Sequence, residues 1–358
     1  MRTGRLIFRI LFLTVLLTGC REQLTPEPVQ KADLLLQFST PMEASLETKG
    51  IEDGDSFHNL LVLVMRGNTV LHKKTWPEDI SNNYVSKVTI SIPDVELGSY
   101  DVYAYANYDE TAWQQVYISG TELIAPIGST LNVQDRLLKG LSSSYPAPQA
   151  PAANTPMLLT GHSQVSVGVV NNVGELKLQR PVARLNLYIN NHTPYPVRLD
   201  ELSFNNFFAP QSYLIGRTDS EGRPQIPSGT ILEALPAYNT TNPVTIGSME
   251  VHKCVYSILM YEMALPSDQL CRMYAKATLI KAPGSTLTQT LGTAAQGVPL
   301  KRIDSETSQA TYLNAITRNQ ELNIEVNVFY ETVAGQVEFW LENLYWSVNG
   351  HVSEHTYN

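Results

Sequence analysis

The sequence predicts an all-β protein, and three observations lead to this prediction. Short runs with apolar residues at every second position recur along the chain, 21 Gly and 21 Pro punctuate them, and only 16% of the residues are charged. Such alternation is typical of half-buried strands, while glycine and proline clusters supply the turns. A coiled coil or a disordered chain needs more charge. Because each sheet must cover its apolar face, we expect packed β-sandwiches with irregular long loops.

The alternation is clearest in two runs, one containing Val88, Ile90 and Ile92 and the other spanning 322–328. Apolar or alternating runs bounded by turn residues predict further strands at 33–39, 59–66, 99–106, 164–170, 175–179, 183–189, 255–261 and 273–280. Helical periodicity is scarce, and its best case is 129–141.

The length of 358 residues favours two domains, at roughly 150 residues per domain. A boundary near Arg180-Pro181 is predicted, because the proline would break a ladder between two neighbouring strand-like runs. We therefore expect an N-terminal sandwich over 33–180 and a C-terminal sandwich over 181–358. The biased segment 142–156, SSSYPAPQAPAANTP, is either an interdomain linker or a long loop within the first domain.

Residues 1–19 have the pattern of a signal peptide. Basic residues precede an apolar stretch at 6–17, which is shorter than the ~20 residues needed to cross a bilayer. The stretch ends in Leu17-Thr18-Gly19-Cys20, which resembles a bacterial lipobox and implies acylation of Cys20; the alternative is an ordinary secretory signal with a chance cysteine. Residues 20–32 then predict a flexible tether, and lipid on Cys20 would attach the chain to the outer membrane.

The charge and the motifs exclude several functions. Removing Arg2, Arg5 and Arg9 with the signal peptide leaves 22 basic and 34 acidic residues, a mature charge of −12. This charge argues against nucleic-acid binding, which relies on neutralising phosphates. The sequence has no glycine-rich phosphate loop, no zinc-binding HExxH pattern and no Gly-x-Ser-x-Gly elbow. We therefore expect no enzyme activity and no cofactor.

No metal site is predicted either. His351 and His355 have i, i+4 spacing but lie in a polar tail that we expect to be solvated. His252, Cys254 and Cys271 give at most three ligands, and the acidic turn at 52–55 lacks the spacing of a calcium loop. A disulfide between Cys254 and Cys271 is possible in an oxidising compartment, but two half-buried thiols are favoured.

The C-terminal segment 335–358 is strongly apolar and has a strand period. Its first three apolar residues are at odd-numbered positions and the next three are at even-numbered positions. The change at Asn343 implies a bulge or two short strands. The segment either completes its own sheet or enters an open groove on another molecule by strand addition. The apolar positions are Val337, Phe339, Leu341, Leu344, Trp346 and Val348.

Several segments, taken in order, resemble the FimA-type fimbrillins, the pilins of type V pili. The match spans nearly the whole mature chain, and its more specific part is a basic residue followed by Pro-Val-Ala-Arg at 180–184. The matching segments are ADLLLQFS, Thr48-Lys49-Gly50, FHNLLVLVM, ELGSYDVYAYANYD, PMLLTG, ELKLQRPVARLNLYI, VYSILMYE and Thr317-Arg318-Asn319.

This resemblance implies a fold and a mechanism. The fold would be two β-sandwich domains of the transthyretin-like type. Related precursors travel as lipoproteins and are cut in the loop after the first strand, and the neighbouring subunit's C-terminal strands fill the groove that opens. Here the removed strand would be 33–39, the scissile bond Lys49-Gly50 and the donor arm 335–358. The expected partners are other fimbrial subunits and, before processing, outer-membrane lipid through Cys20; the expected destination is an adhesive fimbrium at the cell surface.

The chain departs from the family pattern at one position, and this departure keeps alternatives open. The family typically has Arg at the processing position, where this chain has Lys49, and an Arg-specific protease needs the guanidinium group. A trypsin-like or Lys-specific enzyme would then act, or the uncut chain would stay lipidated as an anchor subunit. A glycan-binding surface lipoprotein is a further alternative, because Trp76, Trp113, Trp340 and Trp346 could stack on sugars.

Overall fold

The computed structural model describes residues 29–40, 56–77, 84–108, 125–138, 158–205, 208–233, 243–266, 268–280, 288–292, 297–303 and 310–329. These ranges contain 19 strands and no helix, so the predicted all-β class is confirmed. A helix long and apolar enough to span a membrane is accordingly not found among them.

The first seven strands form two facing sheets with the orders β4-β1-β7 and β3-β2-β5-β6. Their inward side chains meet in one core, which includes Leu36 of β1, Val62 of β2 and Ile90 of β4. This arrangement is a β-sandwich. The strands are β1 Lys31–Ser39, β2 Leu60–Arg66, β3 Thr69–Trp76, β4 Lys87–Glu96, β5 Gly98–Ala106, β6 Leu159–Val167 and β7 Val173–Lys177.

The remaining strands form a second pair of sheets, with the orders β11-β8-β19 and β10-β9-β13-β14, and β15 also pairs with β13. Two further two-stranded sheets are β12-β18 and β16-β17. The strands are β8 Val182–Asn191, β9 Val197–Phe204, β10 Thr245–Ile246, β11 Lys253–Tyr261, β12 Met263–Ala264, β13 Arg272–Ile280, β14 Thr288–Gly292, β15 Val298–Pro299, β16 Lys301–Ile303, β17 Ala310–Tyr312, β18 Ala315–Ile316 and β19 Glu321–Val328.

The two halves repeat one topology. In each, the first strand occupies the centre of a three-stranded sheet; β1 is antiparallel to β4 and parallel to β7, and β8 is antiparallel to β11 and parallel to β19. Among the described strands, no ladder joins β1–β7 to β8–β19. The domain boundary near Arg180-Pro181 stays a prediction.

Strand β2 explains how the first sandwich is attached to the rest of the molecule. Leu60, Val62 and Val64 face the core shared with β1, whereas Leu61, Leu63 and Met65 face the opposite way into the core that includes β8, β9 and β13. A continuous apolar run of this kind is typical of a strand covered on both faces. The four-stranded sheet is therefore buried from two sides.

Three sequence predictions are corrected or resolved. The strand predicted at 164–170 ends at Val167, and Val169 and Val170 are exposed in the turn before β7. The weak helix prediction at 129–141 is wrong over 129–138, where turns and isolated bridges occur. The biased segment 142–156 lies outside the described residues, but it connects β5 to β6, which pair directly. It therefore lies between two paired strands of the first half and does not connect the two pairs of sheets.

Gly174 of β7 makes room for the central strand. It pairs with Leu36 of β1, and a Cβ at this position would lie 2.5 Å from Val165 Cγ1 and 2.9 Å from Leu36 Cδ2. Both distances are shorter than normal van der Waals contact, so the side chains of Leu36 and Val165 occupy the space that a larger residue would need. We name this feature the Gly174 notch.

Replacing Gly174 with Ala should overpack the first core and lower the free energy of unfolding by about 1–3 kcal/mol. Urea unfolding of the two proteins measures the difference. Gly168→Ala is the matched control, because the nearest atoms to a Cβ there are 3.9 Å away; a change within about 0.5 kcal/mol is expected for it. Equal stability of Gly174→Ala and the parent protein would contradict this account of the notch.

Candidate functional site

The candidate site is the central strand β1 with the two strands that hold it. On one side β1 runs antiparallel to β4, with Leu36 opposite Ile90 and Phe38 opposite Val88. On the other side it runs parallel to β7, with Phe38 opposite Leu176. Both backbone edges of β1 are therefore used, unlike those of an edge strand.

Three side chains of β1 are completely buried: Leu34, Leu36 and Phe38 have 0% exposure. They occupy alternate positions, so they project from one face of the strand into the core of the first sandwich. Leu35, on the opposite face, is 42% exposed. Each buried side chain contributes about 1.5–3 kcal/mol relative to exposure. The strand therefore fills three consecutive apolar pockets at the spacing i, i+2, i+4.

Contacts at both ends fix the register of β1. At its N-terminal end, the Leu35 backbone N–H donates to the Asn172 carbonyl at 2.8 Å, and the Asn172 side-chain amide donates to the Asp33 carbonyl at 3.3 Å. At its C-terminal end, the Ser39 carbonyl accepts from the Leu178 N–H at 2.8 Å. Each of these bonds would be lost if the strand left, so removing β1 exposes polar backbone as well as apolar pockets.

Beyond Ser39 the chain crosses from one sheet of the sandwich to the other before it enters β2 at Leu60. The predicted processing residues Lys49 and Gly50 lie on this connection, outside the described residues. A cut there would separate β1 from every strand that follows it. Also outside the described residues are Cys20, the acidic turn 52–55, His351, His355 and the predicted donor-arm positions Val337, Phe339, Leu341, Leu344, Trp346 and Val348.

The two remaining cysteines are free thiols in different sheets. Cys254 is exposed on β11, and Cys271 is buried just before β13. Burial raises the pKa of the Cys271 thiol to about 12. The structure thus has neither the disulfide nor two half-buried thiols, but one accessible and one inaccessible thiol. Strands β11 and β13 belong to separate sheets, so Cys254 and the residue just before β13 are not opposite each other in one ladder.

Other candidate residues do not come together. Within the described ranges, no three His, Cys, Asp or Glu side chains are grouped so that they could hold a metal ion. Of the four tryptophans, only Trp76 is described, and it packs edge-on against Phe57 with ring centroids 5.9 Å apart. It therefore serves at least partly to cover the first core.

The second half of the chain contains a buried ion pair that the sequence analysis missed. The Arg318 guanidinium donates to Glu262 Oε1 at 2.5 Å, and both side chains are about 5% exposed or less. Arg318 also donates to the carbonyls of Tyr213 at 2.7 Å and Leu214 at 3.0 Å. Gly216 lies against the guanidinium, since a Cβ there would be 2.6 Å from Arg318 Nε. We call this group the Arg318 clamp.

The segment gripped by the Arg318 clamp also contacts the first half of the chain. The Leu138 N–H donates to the Ser212 carbonyl at 2.8 Å, and the Leu214 N–H donates to the Arg136 carbonyl at 2.8 Å. Arg318 lies in the turn that leads into β19, the last described strand. The clamp therefore connects the start of β19 to the first half of the chain through the segment 212–214, which contacts both. Arg318 belongs to the Thr317-Arg318-Asn319 motif and Glu262 ends the VYSILMYE segment, but nothing in the sequence pairs the two.

Several solved structures are similar to this chain. A "putative cell adhesion protein" from Parabacteroides distasonis ATCC 8503 superimposes with a TM-score of 0.52 at 16% identity, over 84% of this chain and 89% of its own. A fimbrilin (FimA) from Porphyromonas gingivalis W83 gives 0.47 at 14% identity, over 84% and 91%. The fimbrial tip protein Mfa3 from Porphyromonas gingivalis, with a C-terminal truncation, gives 0.43 at 13% identity, over 88% and 99%. No protein-family model and no curated protein matches the chain.

Arg318→Met should destabilise the protein by about 3–5 kcal/mol, because it leaves Glu262 charged and buried without its partner. The double variant Arg318→Met with Glu262→Leu should be much closer to the parent, since no buried charge is then unpaired. Urea unfolding of the parent, both single variants and the double variant measures the coupling. Additive losses in the double variant would show that the two side chains do not act as a pair.

Proposed function

We propose that this chain is the precursor of a structural subunit of a type V fimbrium. In this proposal it is exported as a lipoprotein acylated at Cys20, cut at Lys49-Gly50 and assembled by donor-strand exchange into an adhesive fibre at the cell surface. The observation that carries the proposal is the position of β1. It is the central strand of its sheet, yet a single cut after it would release it from the rest of the chain.

Loss of β1 would open a groove between β4 and β7. The groove would present the pockets of Leu34, Leu36 and Phe38 and the unpaired backbone groups of both flanking strands. An open groove of this kind binds an added strand, because backbone hydrogen bonds supply affinity and alternate side chains supply register. The free energy lost with β1 is regained only when such a strand enters.

The C-terminal arm has the required pattern twice. Val337, Phe339 and Leu341 repeat the i, i+2, i+4 spacing of the three buried residues of β1, and so do Leu344, Trp346 and Val348. In each set an aromatic residue is flanked by aliphatic ones. The arm follows β19, whereas the groove belongs to the β4-β1-β7 sheet. Two different surfaces would thus join successive subunits, a contact that does not close and so generates a fibre.

Two independent considerations support the proposal. The ordered sequence resemblance to FimA-type fimbrillins spans nearly the whole mature chain, including the segment that contains Lys49. The fold is shared with the Parabacteroides distasonis protein, whose description as a putative cell adhesion protein is in keeping with an adhesive role. The partners in this proposal are other fimbrial subunits, and the outer-membrane lipid holds the precursor before it is cut.

A second candidate function is a fimbrial anchor that keeps its lipid. The presence of Lys at position 49, where the resemblance leads one to expect Arg, favours it. Without a cut, β1 stays in its sheet and its groove remains filled, so the subunit could donate an arm but could not accept one. Such a subunit would terminate the fibre at the membrane.

The two functions are separated by the N-terminus of the protein sheared from native cells. A pilin should begin at Gly50 and migrate as a heat-sensitive ladder on a denaturing gel, because strand-exchanged subunits dissociate slowly. Trp346→Asp should abolish the ladder by placing a charge in an apolar pocket. Ser347→Asp, of opposite parity, is the matched control and should assemble normally.

The readouts are intact mass, gel migration and circular dichroism of the purified monomer. A chain that begins at lipidated Cys20 and forms no ladder would establish the anchor instead. If Trp346→Asp prevents the monomer from folding, the arm completes its own sheet and is not donated. If Trp346→Asp and Ser347→Asp both assemble at the parental level, the proposed donor-strand exchange is contradicted as well.

A further inference from the structure

A cleft opens at the N-terminal end of β1, away from the three apolar pockets. Its volume is about 350 Å³, within the range of sites for small molecules. Strands β1 to β5 all contribute to its walls, and most of the lining side chains are polar or charged. The lining residues are Lys31, Arg66, Thr69, Leu71, His72, Asp94, Glu96 and Tyr100.

One cation in the cleft, Arg66, is oriented by several contacts. Arg66 donates to the Tyr100 hydroxyl at 2.6 Å, lies over the Tyr100 ring at 4.9 Å and forms an ion pair with Glu96 at 3.4 Å. The Tyr100 hydroxyl donates in turn to the Glu96 carbonyl at 2.6 Å. These contacts use two of the five N–H donors of the guanidinium. Arg66 is thus oriented and still has donors available.

Three other polar groups in the cleft are uncommitted. The Lys31 ammonium, the His72 imidazole and the Asp94 carboxylate make no hydrogen bond or ion pair with any described residue. Burial, followed by the nearby charge of Lys31, lowers the pKa of His72, so its imidazole is neutral at pH 7 and can both donate and accept.

The backbone also places Asp94 in an unusual conformation. Its φ is +57°, in the left-handed region that non-glycine residues seldom adopt, and it lies where the β1–β4 register shifts between Ala32 and Leu34. Irregularities of this kind re-aim side chains and are often found beside binding sites. Here the irregularity brings a carboxylate to the wall of the cleft.

We propose that this cleft binds a small carboxylate whose neighbouring carbons carry hydrogen-bond donors. Lys31 and the free donors of Arg66 bind the carboxylate, because charge-assisted bonds from ammonium and guanidinium groups suit it. Asp94 and His72 accept from the adjacent donors, and Leu71 covers the carbon skeleton. Sugar acids, with hydroxyl donors, and amino acids, with an ammonium donor, share this chemistry. The proposal does not rest on the proposed function; Lys31 lies on β1, so the complete cleft belongs to the uncut chain.

Isothermal titration of the full chain with four probes tests the inference. Glucuronate or L-serine, or both, should bind saturably. The probe that binds shows whether the ligand is a sugar acid or an amino acid. Acetate lacks the neighbouring donors and glucose lacks the carboxylate, so each should bind at least about tenfold more weakly. Acetate binding as tightly as the better of the first two probes would overturn the proposal, and so would the absence of saturable binding by both.

Variants assign the binding to the cleft. Lys31→Gln and Asp94→Asn should each weaken binding about tenfold; asparagine tolerates the left-handed backbone, so the second variant keeps the local conformation. Lys87→Gln is the matched control, because it removes the same charge from exposed β4 outside the cleft. Unchanged affinity in both cleft variants, or an equal loss in Lys87→Gln, would contradict the assignment.

Discussion

The structure depends on one constraint: the central position of β1 between β4 and β7. A strand in this position satisfies the backbone of both neighbours and fills the core with Leu34, Leu36 and Phe38. Without it, two rows of polar backbone groups and three apolar pockets would face water together. The sheet must therefore keep β1 or receive a strand of the same period, and this requirement links the stability of the fold to its proposed assembly.

The repeated topology bears on the proposed exchange, because the two equivalent central strands are connected differently. Strand β8 occupies the same central position in the second half, but it continues into described strands at both ends, β7 before it and β9 after it. A single cut can release β1 from all the strands that follow, whereas β8 would need two. The Arg318 clamp supports this asymmetry, because it fixes the root of β19 to the segment that contacts the first sandwich.

Local sequence pattern was sufficient for the strands with clear alternation and insufficient for features that depend on distant residues. The alternating runs at Val88–Ile92 and Leu322–Val328 lie within β4 and β19 as predicted. Strand β3, TVLHKKTW, was not predicted because its lysines and histidine interrupt the alternation of apolar and polar residues. The pairing of Arg318 with Glu262 spans 56 residues, and the cleft draws on five strands, β1 to β5, so neither leaves a local signal.

The central claim, that β1 must leave for subunits to join, can be tested by stapling β1 to its neighbour. Leu35 and Ser91 are directly opposite on β1 and β4 and both are exposed, and antiparallel partners lie within disulfide range. The measurement is the polymer ladder formed by the processed Leu35→Cys/Ser91→Cys protein with and without reductant. The account predicts no ladder while the bridge is oxidised and a parental ladder after reduction. A ladder of parental intensity in the oxidised protein would contradict it.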